Sequence, residues 1–506
     1  MDWTGDRRPL HRLDCDTGPV ITRAIGAGSL ARDLGNWQDT ADRRPAYRAL
    51  ADGIRLLVHD GRVPLGVALP SERELAAALA LSRTTITSAY TALREAGYLR
   101  SRQGARSTVA LPSGRTAAPA RAGGPGPARA PETVDLSYAS MPAPAAEIES
   151  AYAAALRSVP AYLDSHGMEP IGVAPLREVI ARRYRERGLP TDADQIMVTS
   201  GAQHALRLLL GVLTDAGDRV IVDHPTYPNA LEAIRRHGAR PVVVPVRPEG
   251  GADAGWDLEG LRSAARQTAA RMAFLIPDFH SPTGLCMGAQ GRAELVRIAQ
   301  ETRMTLVVDE TMVDLWLDTP PPPAVASYGA DRSVVTVGST GKSLWGGLRV
   351  GWIRADRSLI TRLVGARSAV DLGTPVMEQL AAAHLLGDVE DLLERRRGQL
   401  RRRRAAMLGA LGEHLPDWKY TVGPGGMSLW VRMPTPVSTA LAATAPNHGV
   451  VLAAGPRFGV EGAFERFLRL PYAREVDEVR RAVASVASAY DALARGRDLA
   501  EPHLVV

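Results

Sequence analysis

A small helix-rich part followed by a larger α/β part is the architecture this sequence predicts, on three observations. The chain has 506 residues, beyond the size at which one hydrophobic core keeps growing, so more than one domain is expected. Residues 113–131, SGRTAAPARAGGPGPARAP, are almost wholly Gly, Pro, Ala, Ser and Arg without apolar periodicity, and read as a semi-extended linker that buries no core. Beyond it, β-branched runs alternate with helical patterns, as in a mainly parallel sheet covered on both faces. The expected divisions are an N-terminal extension over 1–44 with no assigned structure, a helical domain over 45–112, the linker over 113–131 and the α/β domain over 132–506.

Composition narrows the class of function. Hydrophobic residues at 45% and charged residues at 23% are close to globular averages, and no apolar run is long enough to cross a bilayer. The start, MDWTGDRRPLHRLDCDTG, has mixed charges and no apolar stretch of the kind a secretory signal needs, so a cytoplasmic protein without a membrane partner is expected. Cys15 and Cys286 are too far apart for a disulfide framework or a metal-ligand cluster, and no metal site is expected. The net charge is +6, and residues 45–112 hold nine arginines against five acidic residues, with three more arginines in the linker. A basic excess toward the N-terminus suits a nucleic-acid partner there.

The helical domain can be laid out element by element. Tyr47, Leu50, Ile54 and Leu57 recur at helical spacing. A second helix is announced by Pro70-Ser71-Glu72-Arg73-Glu74, where Ser71 and Glu74 fit a capping box. A third starts after Leu81 with Ser82 as N-cap, its inward stripe Ile86, Ala89, Tyr90 and Leu93, its outward face Thr84, Thr87, Ser88 and Thr91. A short polar face entered through Arg83 and fixed by an apolar stripe is what insertion into a major groove requires. YLRSRQGARSTV then reads as two short strands joined near Gln103-Gly104, a wing carrying Arg100, Arg102 and Arg106. The pattern alone also fits other small interaction modules. The string LPSERELAAALALSRTTITSAYTALREAGYLRSRQGARSTV resembles the GntR-type winged helix-turn-helix without a gap. That resemblance implies DNA contacts from Arg73, Arg83, Thr84, Thr85, Thr87 and Gly104, with Arg102 on the same hairpin. Phosphate contacts would supply most of the affinity, so the operator sequence is not readable.

In the α/β domain the expected strands are Ile196–Thr199, Arg219–Asp223, Pro241–Pro245, Met272–Ile276, Thr305–Asp309, Val334–Gly338 and Val350–Arg354. Ligands in such sheets bind beyond the carboxyl ends of the strands, so polar residues following a strand are the candidates. The Arg-rich run around Glu394–Arg404 is read as a solvated helix face in preference to a phosphate-binding patch. The most informative segment is Gly338–Trp352, GSTGKSLWGGLRVGW. A Walker A loop would need Gly where Thr336 stands, and the Ser339-x-x-Lys342 spacing of serine acyl-transferases lacks its companion motifs.

Ser339-x-x-Lys342 followed by Gly347-x-Arg349 resembles the lysine motif of fold type I aminotransferases, which bind pyridoxal 5'-phosphate. The resemblance implies that Lys342 forms the Schiff base and that Ser339 and Arg349 hold the phosphate. The turn Ser200-Gly201-Ala202-Gln203 offers free N–H groups at a helix start to the same phosphate. Asp309, ending TLVVD, would pair with the pyridine nitrogen, Tyr227 in HPTYP would stack on the ring, and Arg469 in FLRLPYA would grip an effector carboxylate. Together the two resemblances identify the chain as similar to MocR-type regulators over residues 45–490. Two departures stand out: Ser281 in PDFHSPTG replaces the usual Asn, and Thr311 stands near the place of the usual Tyr. Their hydroxyls would then have to serve the cofactor's phenolic oxygen.

The expected function is a pyridoxal-phosphate-dependent DNA-binding transcription regulator that senses the cofactor, an amino acid or another small amine, with slow transamination at most. The alternatives are a working aminotransferase with an appended DNA-binding domain, and a repressor whose large domain only dimerises. The implied partners are a double-stranded DNA operator, the amine effector and a second copy of the chain in a domain-swapped homodimer.

Overall fold

The computed structural model describes residues 24–35, 37, 45–59, 63, 67–100, 106–109, 133–247, 255–329, 333–460 and 462–498. The chain divides into two compact units, Met1–Pro125 and Gly126–Val506. Arg102, Gly104, the wing turn, Cys15 and the linker lie outside the described residues.

The N-terminal unit contains the helices Ala27–Leu34, Ala46–His59, Glu72–Leu79 and Arg83–Glu95. Leu50, Ile54 and Leu57 of the second meet Leu75 of the third and Ile86, Ala89, Tyr90 and Leu93 of the fourth in one buried cluster. Each fully buried Leu or Ile contributes about 1.5–3 kcal/mol from removal of apolar surface from water. The first helix, in the stretch with no assigned structure, packs Leu30 and Leu34 into the same cluster. Both expected caps are present: Ser71 Oγ accepts the Glu74 N–H while Glu74 accepts the Ser71 N–H, and Ser82 Oγ accepts the Thr85 N–H at 3.1 Å. Leu99–Arg100 pairs antiparallel with Thr108–Val109 to form the base of the wing.

The larger unit is built on an eight-stranded sheet. Its order is Ile196–Thr199, Gly351–Arg354, Val334–Ser339, Thr305–Asp309, Met272–Leu275, Arg219–His224, Arg240–Arg247 and Gly255–Trp256. The strand Gly351–Arg354 runs antiparallel to both of its neighbours, and Gly255–Trp256 is antiparallel at the far edge, while the other pairings are parallel. Strands buried on both faces, such as Met272–Leu275, read as continuous apolar runs because helices cover each side. Two separate apolar clusters, one holding Val198, Ile221 and Val308 and the other Met197, Val222 and Val307, show the alternation across the sheet.

A smaller four-stranded sheet, with strands in the order Lys419–Tyr420, Ser428–Arg432, Phe467–Pro471 and Ala453–Ala454, packs with the helices Glu390–His414 and Val476–Asp498 around a third cluster. The expectation of a solvated face on the Arg-rich run is corrected here. Arg396, Arg397 and Arg403 are 4%, 2% and 3% exposed. Arg397 lies 4.2 Å over the Trp316 ring and pairs with Glu390 and Glu394. The helix meets the carbonyls of Leu344, Asp314 and Ala473, so Arg396, Arg397 and Arg403 find acceptors in tertiary neighbours that charge counting along the chain cannot show. No helix among the described residues is long and apolar enough to cross a membrane.

Candidate cofactor site and DNA-binding face

Strand register gathers Ser339, Asp309 and the turn after Thr199 at one end of the strands of the large sheet. Ser339 at the end of its strand sits opposite Gly351, and Gly351 sits opposite Thr199, the residue before Ser200. Asp309, the last residue of its strand, is level with Val337. A Cβ at Gly351 would stand 2.7 Å from the Gly201 carbonyl carbon, so only glycine admits this approach. Gly201 has φ of +90°, and a Cβ there would meet the Arg349 guanidinium at 3.0 Å. Arg349 Nη2 donates to the Ser200 carbonyl at 2.8 Å. Ser200 Oγ is 3.4 Å from Thr374 Oγ1, and Gly201 caps the helix Ala202–Leu213, whose first N–H groups face no preceding turn. A guanidinium beside bare helix N–H groups forms an anion cradle.

Lys342 lies in a single π-helical turn, Gly341–Trp345, next to Ser339. Ser339 Oγ accepts the Gly341 N–H at 3.0 Å and donates to the Val350 carbonyl at 3.2 Å, tying the lysine turn to the residue after Arg349. The Lys342 ammonium donates to the Ala139 carbonyl at 2.7 Å. Enclosure, and next the Arg469 charge, bring its pKa down to about 8, against the opposing pull of Asp309. Asp309 is buried and held above the usual carboxylate range by that burial, while Thr311 and Lys342 act in the other direction.

Thr311 departs from its expected role. Its N–H donates to Asp309 Oδ1 at 2.8 Å and its side chain turns to the same carboxylate, because a residue two positions after an Asp closes a local turn on it. Ser281 is half-buried and is joined to Pro282 by a cis peptide bond. Tyr227 is half-buried, its hydroxyl accepting from Asn229 Nδ2 at 2.9 Å. Burial raises its pKa, and Asp309, Arg349 and Arg469 all act on it, so these four side chains share one neighbourhood. The Gln203 side chain donates to the Asn229 carbonyl at 3.1 Å, leaving its backbone N–H as the group offered at the helix start.

Arg469 is 8% exposed and lies 5.2 Å over the Phe458 ring. Its Nη2 donates to the Leu136 and Ser137 carbonyls, while Nε has no acceptor among the described residues. Burial, and then Arg457, bring its pKa down to about 10. The segment 136–139, which touches both Arg469 and Lys342 through backbone carbonyls, was not legible in the sequence, since carbonyls carry no residue signature. Phe458 and Asn229 escaped for a related reason: ordinary residue types reach the site by long-range packing.

On the N-terminal unit, Arg73, Arg83, Thr84, Thr87 and Ser88 are exposed on the second and third of the expected helices, whereas Thr85 and Thr91 are half-buried. The outward face is therefore narrower than periodicity indicates. Thr84 and Thr85 hydroxyls lie 2.7 and 2.8 Å from Ser82 Oγ. Thr87 Oγ1 donates to Glu72 at 2.6 Å, so that hydroxyl must exchange a carboxylate before it reaches a base. Arg106 pairs with Glu74 at 2.9 Å.

Comparison with known proteins agrees with this division. Residues 46–109 match the family described as bacterial regulatory proteins of the gntR family, and residues 138–486 match aminotransferase class I and II. The uncharacterized HTH-type transcriptional regulator YdfD of Bacillus subtilis is 27% identical over 85% of this chain and 92% of its own length. The 2-aminoadipate transaminase of Thermus thermophilus is 32% identical over 60% of this chain and 75% of its own length. Among solved structures, the alpha-aminoadipate aminotransferase LysN of Thermus thermophilus, complexed with N-(5'-phosphopyridoxyl)-L-leucine, superposes with a TM-score of 0.66 at 29% identity, covering 72% of this chain and 93% of that one. With a lysine turn, an anion cradle and a buried aspartate at the strand ends of the large sheet and a winged helix before them, the chain belongs to the aminotransferase class I and II family and joins to it a gntR-family domain, as MocR-type regulators do.

Proposed function

We propose that this protein is a transcription regulator that binds operator DNA through its winged helix and reads an amine through pyridoxal 5'-phosphate held on the large sheet. The observation that carries the reading is the order of parts: a polar, exposed helix face on one unit and a half-buried lysine beside an anion cradle on the other, in a single chain. When bound, the cofactor supplies an aldehyde that captures amines and a ring that withdraws electrons. Arg349, the Ser339 hydroxyl and the N–H groups of Ala202 and Gln203 bind its phosphate. Asp309 holds a proton at the ring nitrogen, and that positive charge offsets the cost of burying the carboxylate. Tyr227 packs on the ring and excludes water from one face. Lys342, with its lowered pKa, offers a neutral amine near physiological pH. Arg469 takes the carboxylate of an amino-acid effector, its unaccepted Nε supplying one donor of the fork.

Response to the effector requires that it bind one arrangement of the protein better than another; coupling of about 1–3 kcal/mol changes DNA affinity roughly 5–150-fold. Two copies in a domain-swapped homodimer would read two half-sites, in the cytoplasm where the DNA is. The test is binding to the DNA upstream of the protein's own gene, with and without saturating cofactor, at fixed salt. A cofactor-dependent change in affinity that disappears in Lys342→Ala supports the reading. Affinity indifferent to both cofactor and substitution overturns it. A working aminotransferase is the second reading, favoured by identity of 32% to a transaminase; sustained multiple turnover with a keto acid would establish it.

A further inference from the structure

The long helix Glu390–His414 buries a cation that forms no ion pair among the described residues. Arg397 pairs with Glu390 and Glu394, and Arg403 with Glu475. Arg396, 4% exposed, ends instead on two backbone carbonyls: Nη2 donates to Pro142 at 2.7 Å and to Leu344 at 2.8 Å. Its Nε has no acceptor, and it has no ion pair, among the described residues. This guanidinium borders a cavity of about 300 Å³ between the helix and the segment 142–147, shared with Arg395, Gln399 and Arg403. Gln399 Oε1 is also buried without a partner among the described residues. Pro144 and Leu392 give the cavity an apolar side.

We propose that this cavity binds a small organic acid through one carboxylate, with Arg396 as its anchoring cation. The lining holds three guanidiniums, of Arg395, Arg396 and Arg403, against the carboxylates of Glu147 and Glu475, leaving one surplus positive charge. A single carboxylate neutralises that surplus, whereas a phosphate dianion would overshoot it. An unpaired buried charge is costly, and an anion in hydrogen-bonding distance relieves the cost. Burial, and then Arg403, hold the Arg396 guanidinium below its ordinary range, a field that an anion reverses. Gln399 can present its amide N–H₂ to the same carboxylate, and the apolar side accommodates a short hydrocarbon tail. Arg396 ties the segment at Pro142 to the turn at Leu344, two residues beyond Lys342. An acid bound here therefore touches the group that joins those two segments. The site is separate from the Arg469 carboxylate position and does not depend on the cofactor reading.

The experiment is isothermal titration of the full chain carrying Arg469→Gln, which silences the other carboxylate position, with propionate and separately with inorganic phosphate at fixed ionic strength. Saturable one-to-one propionate binding is expected, weakened at least tenfold by Arg396→Gln and by Ala143→Phe. The second variant fills the cavity from its rim and keeps the test alive if Arg396→Gln fails to fold. Absence of saturable propionate binding, propionate binding indifferent to Ala143→Phe, or phosphate that binds tighter than propionate and is itself weakened by Ala143→Phe would each overturn the proposal. Because neither DNA nor cofactor enters the measurement, its failure is distinct from failure of the regulator reading.

Discussion

The lowered pKa of Lys342 makes a prediction that one labelling experiment can check. A fall from the ordinary 10.5 to about 8 changes the neutral fraction of the amine at pH 7 from about one in three thousand to about one in ten, roughly a 300-fold gain in nucleophile. The chain contains two lysines, Lys342 and Lys419, so competitive acetylation quantified by mass spectrometry can follow each one, with exposed Lys419 as the internal reference for the reagent. Labelling of Lys342 as a function of pH should titrate with a midpoint near 8. The neighbours fix the direction of its changes. Arg469 disfavours the ammonium and Asp309 favours it, so Arg469→Gln should move the midpoint up and Asp309→Asn should move it down. The linkage to folding has a definite sign as well. Because the folded pKa lies below the unfolded one, protonation opposes folding below about pH 8, and stability from this group rises as pH increases from 8 to 10.5. A wild-type midpoint near 10.5, or a downward move in Arg469→Gln, would refute the placement of Lys342 between those two charges.

Other substitutions test the remaining parts. Gly201→Ala places a side chain in a left-handed conformation against Arg349; a cost of about 1–2 kcal/mol is expected, read as a lower melting temperature and as weaker retention of pyridoxal phosphate in absorbance titration. Ser71→Ala removes the cap of its helix and should lower the stability of the N-terminal unit by about 1 kcal/mol in denaturant unfolding. The Ser71 N–H, which this substitution leaves in place, does most to hold the Glu74 carboxyl below its usual range, and the Ser71 hydroxyl comes next. Stabilisation from these bonds is present above the usual carboxylate range and lost as pH falls through the lowered pKa, so the variant should keep most of the acid limb and flatten it only slightly. Arg83→Ala should weaken binding to all DNA sequences alike and reduce the slope of log affinity against log salt by about one if Arg83 touches phosphate; an unchanged slope places Arg83 elsewhere. Arg292→Met strips Asp278 of its partner at 2.7 Å in a fully buried pair, and about 3–5 kcal/mol of destabilisation is expected in denaturant unfolding; a loss below about 1 kcal/mol would refute it.

Much of the fold and site is legible along the chain because the signals are local. Strand limits such as Thr305–Asp309 follow from β-branched runs, and the Ile86, Ala89, Tyr90 and Leu93 stripe from helical periodicity. The caps at Ser71 and Ser82 need only three residues of spacing, and the lysine proposed to hold the cofactor is marked by its Ser-x-x-Lys and Gly-x-Arg neighbours. What periodicity could not show is where a side chain finds its partner. Thr311 returns to Asp309, Thr87 turns to Glu72, and the first helix joins the N-terminal core from a stretch of sequence with no clear pattern.

Element types, the two-part order and the residue pattern around Lys342 are visible along the chain because each rests on residues close together in it. Packing alone buries Arg396, Arg397 and Arg403, gives Arg469 and Lys342 carbonyl acceptors in the segment 136–139, and leaves Arg396 without an ion pair among the described residues. Burial and pairing of a charge depend on the groups brought within a few ångströms: Arg397 finds carboxylates on its own helix, whereas Arg396, Arg403 and Arg469 bond to carbonyls tens to hundreds of positions away.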